Sequence, residues 1–148
     1  MIVAFACDHG GFPLRDRIFQ VLEQLGHSVL DLGTHSPAAV DYPDYAEALG
    51  KAVLEGKAER GILVCGSGVG ATVAVNKMPG IRAGLCHDCF SARQGVEDDD
   101  CNVLCLGARV IGPEVAADLV RVFFQARFSD LERHRRRLQK VHQIEQRY

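Results

Sequence analysis

The segment best suited to chemistry is a glycine-rich turn that begins with a cysteine. The apolar run Gly61–Cys65 leads into GSGVG, and residues 71–76 then have a helical pattern. Amides at a helix N-terminus point outward, bind anions and favour the thiolate form of a nearby cysteine. A thiolate at Cys65 could abstract a carbon-bound proton while the amides hold the enediolate oxygen. A purely structural turn with a buried cysteine fits the same residues.

The same turn also fits a dinucleotide-binding fingerprint. The segment from Gly66 to Ala71 matches G-x-G-x-x-[GA], and Asp88 lies about 20 residues further on, where a ribose-binding acid is expected. That fingerprint normally follows the first strand of its fold, whereas here it follows the third predicted strand. The chain also has no room for a separate catalytic domain, so we expect no nucleotide cofactor.

A second polar group follows the first apolar run. In the segment ACDHGG, Asp8 and His9 stand where the run Ile2–Cys7 gives way to a glycine turn. The carboxylate can accept hydrogen bonds from substrate hydroxyls, and the imidazole can bind a phosphate or transfer a proton. An aspartate N-cap beside a solvated histidine explains these residues equally well.

A third feature is a basic run near the C-terminus, ERHRRR. Arg133 and Arg137 are four residues apart, so both guanidinium groups project from one face of a helix and suit a phosphate dianion. A solvated basic face and a nucleic-acid patch are the alternatives. The net charge of −2 and the few aromatic residues near the run argue against nucleic acid.

A C-x-x-C spacing occurs at Cys86 and Cys89. A structural zinc ion needs four ligands, and no second pair has this spacing, although Cys101 and Cys105 are available. A thioredoxin-type motif would stand near the first strand of its fold. We therefore expect neither a metal site nor a redox motif.

Five short apolar runs alternate with helical patterns and predict the elements that position these groups. Alternation of this kind indicates parallel strands with right-handed crossovers, so the predicted fold is α/β: a Rossmann-like three-layer α/β/α sandwich with a parallel sheet of about five strands. Ligands bind such sheets beyond the carboxyl ends of the strands. The predicted strands are Ile2–Cys7, Val29–Leu32, Gly61–Cys65, Ile81–Cys86 and Val103–Leu106; the predicted helices are 14–25, 45–54, 71–76, 91–96, 115–124 and 131–144.

The length and composition are those of one globular domain. With 148 residues, 47% hydrophobic and 24% charged, the chain fits a single domain over 1–148. No apolar run is long enough to cross a membrane, and the N-terminus does not have the pattern of a signal peptide. We therefore expect a cytoplasmic protein without membrane or nucleic-acid partners, whose six cysteines are mostly reduced.

Taken together, these segments resemble the ribose-5-phosphate isomerase B family, which includes the galactose-6-phosphate isomerase subunits. The resemblance covers nearly the whole chain. It implies an aldose–ketose isomerisation of a phosphorylated sugar through a cis-enediol, without metal or nucleotide, and first of all the conversion of ribose 5-phosphate to ribulose 5-phosphate. The matching segments, in chain order, are ACDHGG, VDYPDYA, GILVCGSGVG, VNKMPGIRAGLCHD, NVLCLGARVIG and ERHRRR.

The resemblance also implies roles for single residues. Cys65 would be the base, because the glutamate that some relatives carry after the turn is Ala71 here. Ser67 would help to handle the substrate hydroxyls, Asp8 would bind hydroxyls, and Tyr42 would line the pocket. The enediolate would be held by the amides of Gly66, Gly68, Val69, Gly70 and Ala71, and the phosphate by His9, Arg109, Arg133 and Arg137.

A shared site between two subunits is a further implication of the resemblance. The terminal arginines would come from the partner subunit, on a basic helix at about 130–147 that packs on it. We therefore expect a homodimer, or two such dimers together.

One segment departs from the family pattern. Members that open a furanose ring usually carry His-Asn before Asp-x-Asn-Val, whereas Asp98 and Asp99 occupy those positions here. An ordinary carboxyl group is ionised at neutral pH and is a poor acid. Either Asp98, with Asp99 against the substrate, or His87 opens the ring, or the substrate differs. A tetrose 4-phosphate needs no ring opening; a hexose 6-phosphate and a non-catalytic sugar-phosphate-binding subunit are the other possibilities.

Overall fold

Five parallel strands form the central sheet. A computed structural model describes residues 1–148, with strand order β2-β1-β3-β5-β4. Helices cover both faces of the sheet, so β1, β3 and β5 are almost wholly buried, which is why they read as uninterrupted apolar runs. The predicted fold class is confirmed. The strands are β1 (Ile2–Cys7), β2 (Ser28–Asp31), β3 (Arg60–Cys65), β4 (Ala83–Leu85) and β5 (Val103–Gly107).

Six helices and one short 3-10 turn, Phe12–Leu14, complete the chain. The first, fourth and fifth helices pack on one face of the sheet, and the second and third pack on the other. The helices are α1 (Arg15–Gln24), α2 (Tyr42–Leu54), α3 (Val69–Val75), α4 (Cys89–Asp99), α5 (Pro113–Gln125) and α6 (Glu132–Arg147).

Four helices, α2 to α5, start two or three residues earlier than the apolar pattern predicts. The start of α2 is Tyr42 rather than residue 45, because Pro43 fits the first turn of a helix, where no backbone N–H is needed. The start of α4 is Cys89 rather than residue 91, since the side chain of Asp88 accepts a hydrogen bond from the amide of Ser91 at 2.7 Å and caps the helix.

The sheet has two edges that matter for function. The carboxyl ends of β1, β3, β4 and β5 meet at one edge, where the turns after Cys7, Cys65 and Leu85 lie. The end of α4 and the start of α6 lie at the opposite edge, because α4 runs back to the beginning of β5. The six residues of β3 separate the two edges by roughly 16 Å at about 3.3 Å per residue.

The last helix, α6, is the most exposed. His134 is its one buried residue, and its apolar residues Val141 and Ile144 are about half exposed. None of the helices combines the length and the apolarity that a membrane crossing needs. A cytoplasmic location stays a prediction.

Candidate active site

Cys65 is the last residue of β3 and lies at the carboxyl edge. It is 5% exposed, and its Sγ accepts a hydrogen bond from the amide of Gly68 at 3.0 Å. Gly68 has a φ of 81°, a left-handed conformation that turns its N–H back toward the sulfur. A backbone donor at this distance can hold a thiolate.

Free amides surround this turn at the start of α3. The amides of Gly66, Gly70 and Ala71 donate to no acceptor within the chain. The amide of Val69 donates to the Oγ of Ser67 at 3.2 Å, which leaves that hydroxyl hydrogen free to donate elsewhere. Of the five predicted enediolate amides, those of Gly66 and Gly70 are therefore unpaired and partly exposed, whereas Ala71 is wholly buried and Gly68 serves the sulfur.

The other cysteines differ from Cys65 in their surroundings. Burial raises the pKa of Cys7, Cys101 and Cys105 to about 12, and it also raises the pKa of Cys86. These four thiols therefore stay protonated at neutral pH. All six cysteines are free thiols.

Asp8 and His9 lie beside the Cys65 turn. Asp8 is 7% exposed and its Oδ1 accepts the amide of Gly11 at 3.0 Å. The two turns touch, since a Cβ added to Gly10 would lie 2.9 Å from the amide nitrogen of Gly66. The Nδ1 of His9 accepts the amide of Val40 at 3.1 Å, so the neutral ring presents Nε2–H as a donor suited to an anion.

Tyr42 and Arg109 flank the same turn. The Tyr42 ring covers the backbone of Gly70, where an added Cβ would lie 2.8 Å from the ring carbon Cζ. Arg109 follows β5; its amide donates to the carbonyl of Gly66 at 2.9 Å, and its guanidinium lies against the same glycine. Arg109 forms no ion pair with a carboxylate of the chain, so its charge is available to a ligand.

His87 reaches the same edge from the end of β4. Its Nε2 accepts the amide of Gly107 at 2.9 Å, and Gly107 is the β5 partner of Cys65 in the sheet. The lone pair of Nε2 is therefore occupied, and the neutral ring carries its proton on Nδ1. The structure thus brings His87 next to the Cys65 turn, with its Nε2 already hydrogen-bonded to the amide of Gly107.

Asp98 lies at the opposite edge, near the end of α4. Its Oδ2 accepts a hydrogen bond from the side chain of Gln94 at 2.8 Å, and its Oδ1 lies 3.5 Å from Nε2 of His134. Asp99 is exposed beside it. One chain therefore does not bring Asp98 or Asp99 to Cys65. Sequence reasoning missed His134, which is hidden within the basic run, and Gln94, which sits one turn before Asp98.

The basic run contains two kinds of arginine. Arg136 pairs with Glu132 at 2.7 Å, and Arg135 pairs with Asp130 at 3.3 Å. Arg133 and Arg137 are exposed and have no carboxylate partner in the chain. The two arginines that the i, i+4 spacing places on one face are thus the two whose charge is free.

The candidate residues form two groups in one chain, one at each edge of the sheet. The Cys65 turn lines neither of the two cavities of the chain, of about 170 and 390 Å³. No group of three or more His, Cys, Asp or Glu side chains is arranged to hold a metal ion.

Comparison with known proteins places this arrangement in a family. The profile of the ribose/galactose isomerases matches residues 3–141. The chain belongs to the ribose/galactose isomerase family. The resemblance drawn from the six motifs is thus confirmed, and the protein is an aldose–ketose isomerase of the sugar-phosphate type.

Relatives with different substrates are similar to this isomerase. Ribose-5-phosphate isomerase B of Escherichia coli is 42% identical over 145 residues, 98% of this chain and 97% of that protein. D-erythrulose-4-phosphate isomerase of Pectobacterium atrosepticum is 39% identical over 128 residues, 85% of this chain and 84% of that protein. The structure of Clostridium thermocellum ribose-5-phosphate isomerase B has a TM-score of 0.96 and 41% identity, with 100% and 99% of the two chains covered.

The turn geometry predicts that Gly68→Ala destabilises the isomerase more than Gly56→Ala does. Both positions have a positive φ, which costs roughly 1–2 kcal/mol for a residue with a Cβ. A Cβ at Gly56 meets nothing within 4 Å, whereas a Cβ at Gly68 would collide with the backbone of Leu106. We expect a further loss of about 1–3 kcal/mol for Gly68→Ala in urea unfolding. Equal losses in the two variants would contradict this account of the turn.

Proposed function

We propose that the isomerase interconverts ribose 5-phosphate and ribulose 5-phosphate, with Cys65 as the base. The observation that carries this is the sulfur of Cys65 at 3.0 Å from the amide of Gly68, beside three free amides at the carboxyl edge. The extensive identity with ribose-5-phosphate isomerase B of E. coli supports the pentose as substrate.

Each group at the carboxyl edge has a step in this reaction. The Cys65 thiolate removes the proton from C2 of the open-chain aldose, and the electron pair moves to the carbonyl oxygen on C1. The free, partly exposed amides of Gly66 and Gly70 stabilise that oxyanion. The Ser67 hydroxyl transfers a proton between the oxygens on C1 and C2, and the Cys65 thiol returns its proton to C1 to give the ketose.

The phosphate would be bound from two sides. His9 and Arg109 stand at the carboxyl edge with a donor and a free charge, while Arg133 and Arg137 lie at the far edge of the same chain. A two-fold dimer in which α6 packs on the partner would carry these arginines to the partner's Cys65 turn. The exposed apolar residues of α6, Val141 and Ile144, favour such packing.

Cys65→Ala is expected to lower kcat about 100- to 10,000-fold, because the variant lacks the base but keeps the turn. The matched control is Cys89→Ala, which removes an exposed thiol and should leave kcat unchanged. The measurements are the rate of isomerisation and the exchange of substrate hydrogen with solvent deuterium. Normal exchange in Cys65→Ala would remove the cysteine from its role, and no exchange in the unaltered protein would indicate a binding subunit without activity.

Arg137→Ala is expected to raise KM about tenfold or more with little change in kcat, because it removes a charge-assisted hydrogen bond to the phosphate worth about 1.5–3 kcal/mol. Arg136→Ala is the control, since that guanidinium already pairs with Glu132.

Mixing the Cys65→Ala variant with the Arg137→Ala variant tests the shared site. Hybrid dimers contain one intact site, so activity at low substrate should recover to about a quarter of the unaltered level. No recovery after proven subunit exchange would contradict the shared site.

A tetrose 4-phosphate is the second candidate substrate. Ring opening of a pentose needs a proton donor, yet both oxygens of Asp98 and the Nε2 of His87 already have partners within the chain. A tetrose whose O4 is esterified cannot close a furanose and needs no such donor. The relative from P. atrosepticum, named for D-erythrulose 4-phosphate, supports this candidate.

A panel of substrates decides between the candidates. Purified enzyme is assayed for kcat/KM with ribose 5-phosphate, allose 6-phosphate and erythrose 4-phosphate. We expect the pentose to be the best of the three. A pentose value more than about 100-fold below the tetrose value, roughly 2.7 kcal/mol of barrier, would assign the enzyme to the tetrose instead.

A further inference from the structure

The position of α6 depends on one side chain. His134 is 5% exposed and is the only buried residue of this 16-residue helix. Elsewhere on α6, Leu138 and His142 are partly buried, and Glu145 accepts the amide of Gly80 at 2.9 Å. The direction in which the first turns of α6 point is therefore set largely where His134 is held.

Both ring nitrogens of His134 are engaged by residues outside the helix. Its Nδ1 lies 2.5 Å from the Oγ of Ser129, in the segment that precedes α6, and its Nε2 lies 3.5 Å from Oδ1 of Asp98. The second oxygen of Asp98 accepts from Gln94, so the carboxylate itself is fixed on α4. The amide of Ser129 also donates to the carbonyl of Glu97 at 2.9 Å. A connected series of polar contacts thus joins α4 to the start of α6.

The two free arginines lie on either side of His134 in the sequence. Arg133 precedes His134 directly and Arg137 follows it by three residues, and neither has a carboxylate partner of its own. Rotation or tilt of α6 about His134 would move both guanidinium groups together. A pair of flexible side chains binds a phosphate well only when the backbone beneath them is fixed.

We propose that Asp98 is a positioning residue that acts through His134 to orient Arg133 and Arg137 toward the substrate phosphate. This rests on the proposed phosphate-binding role of the two arginines. It gives Asp98 a function that is independent of the sugar ring, whether the substrate is a pentose or a tetrose. Its carboxylate contacts a histidine rather than the reacting atoms.

The test is the competitive inhibition constant of inorganic phosphate, measured beside KM and kcat for ribose 5-phosphate and erythrose 4-phosphate. Asp98→Ala is expected to raise the phosphate inhibition constant and both KM values by the same factor, about 5- to 20-fold, with kcat changed less than about threefold. Asp98→Asn keeps the shape and an acceptor oxygen, so we expect a smaller rise. If the Asp98→Ala variant does not fold, the Asp98→Asn variant provides the test.

The pairing with His134 adds a second measurement. His134→Gln keeps a donor near Asp98, so it should raise the phosphate inhibition constant less than His134→Ala does. The double variant Asp98→Ala/His134→Ala should have an inhibition constant no higher than that of the more severely affected single variant. Gln139→Ala, an exposed change on α6, is the control for nonspecific effects.

Two results would overturn the proposal. A fall in kcat for ribose 5-phosphate alone, with an unchanged phosphate inhibition constant, would show that Asp98 acts on the sugar ring. No change in any constant would show that its contacts are only structural. Arg137→Ala is measured in parallel: if it too leaves phosphate inhibition unchanged, the proposed phosphate site fails, whereas an effect of Arg137→Ala alone refutes only the role of Asp98.

Discussion

The structure of the site depends on one hydrogen bond, from the amide of Gly68 to the sulfur of Cys65. That bond requires a left-handed residue three positions after the end of a buried strand, and only glycine adopts this conformation without strain while fitting against Leu106. The same turn leaves the amides of Gly66, Gly70 and Ala71 unpaired around the start of α3. The position of the Cys65 sulfur and the positions of the unpaired amides therefore depend on the same change in backbone direction.

The topology imposes a second constraint. In a parallel α/β sheet each helix returns the chain to the amino edge, so residues near the end of α4 and the start of α6 lie about one strand length from the Cys65 turn. If Cys65 is the base and Arg133 and Arg137 bind the phosphate, as proposed, the two groups act on one small molecule only when a second subunit supplies one of them. The free charges of Arg133 and Arg137 and the exposed apolar residues of α6 point to the same arrangement.

The departure at Asp98 gains a physical meaning from its surroundings. An aspartate where relatives carry a ring-opening histidine looks, in the sequence, like a weakened catalyst. In the fold it is a carboxylate between Gln94 and the buried His134, at the joint between α4 and α6. Under the proposed role, this position supports the groups that bind the phosphate instead of acting on the sugar.

The sequence by itself determined the fold class, the five parallel strands and the Cys65 turn, because apolar periodicity and glycine placement are local properties of the chain. The family followed from the resemblance of six motifs in chain order. The sequence placed Asp8 and His9 beside that turn, since strand ends in a parallel sheet share one edge. Tyr42 and Arg109, which the family resemblance implied, lie against the same turn. The sequence misplaced the starts of α2 and α4, which Pro43 and the Asp88 cap decide.

Only the tertiary structure revealed that Arg135 and Arg136 are paired while Arg133 and Arg137 are free. It also revealed that His134 is buried against Asp98. These depend on which side chains meet across helices, and residues 36 positions apart in the chain, Asp98 and His134, carry no local signal of their contact.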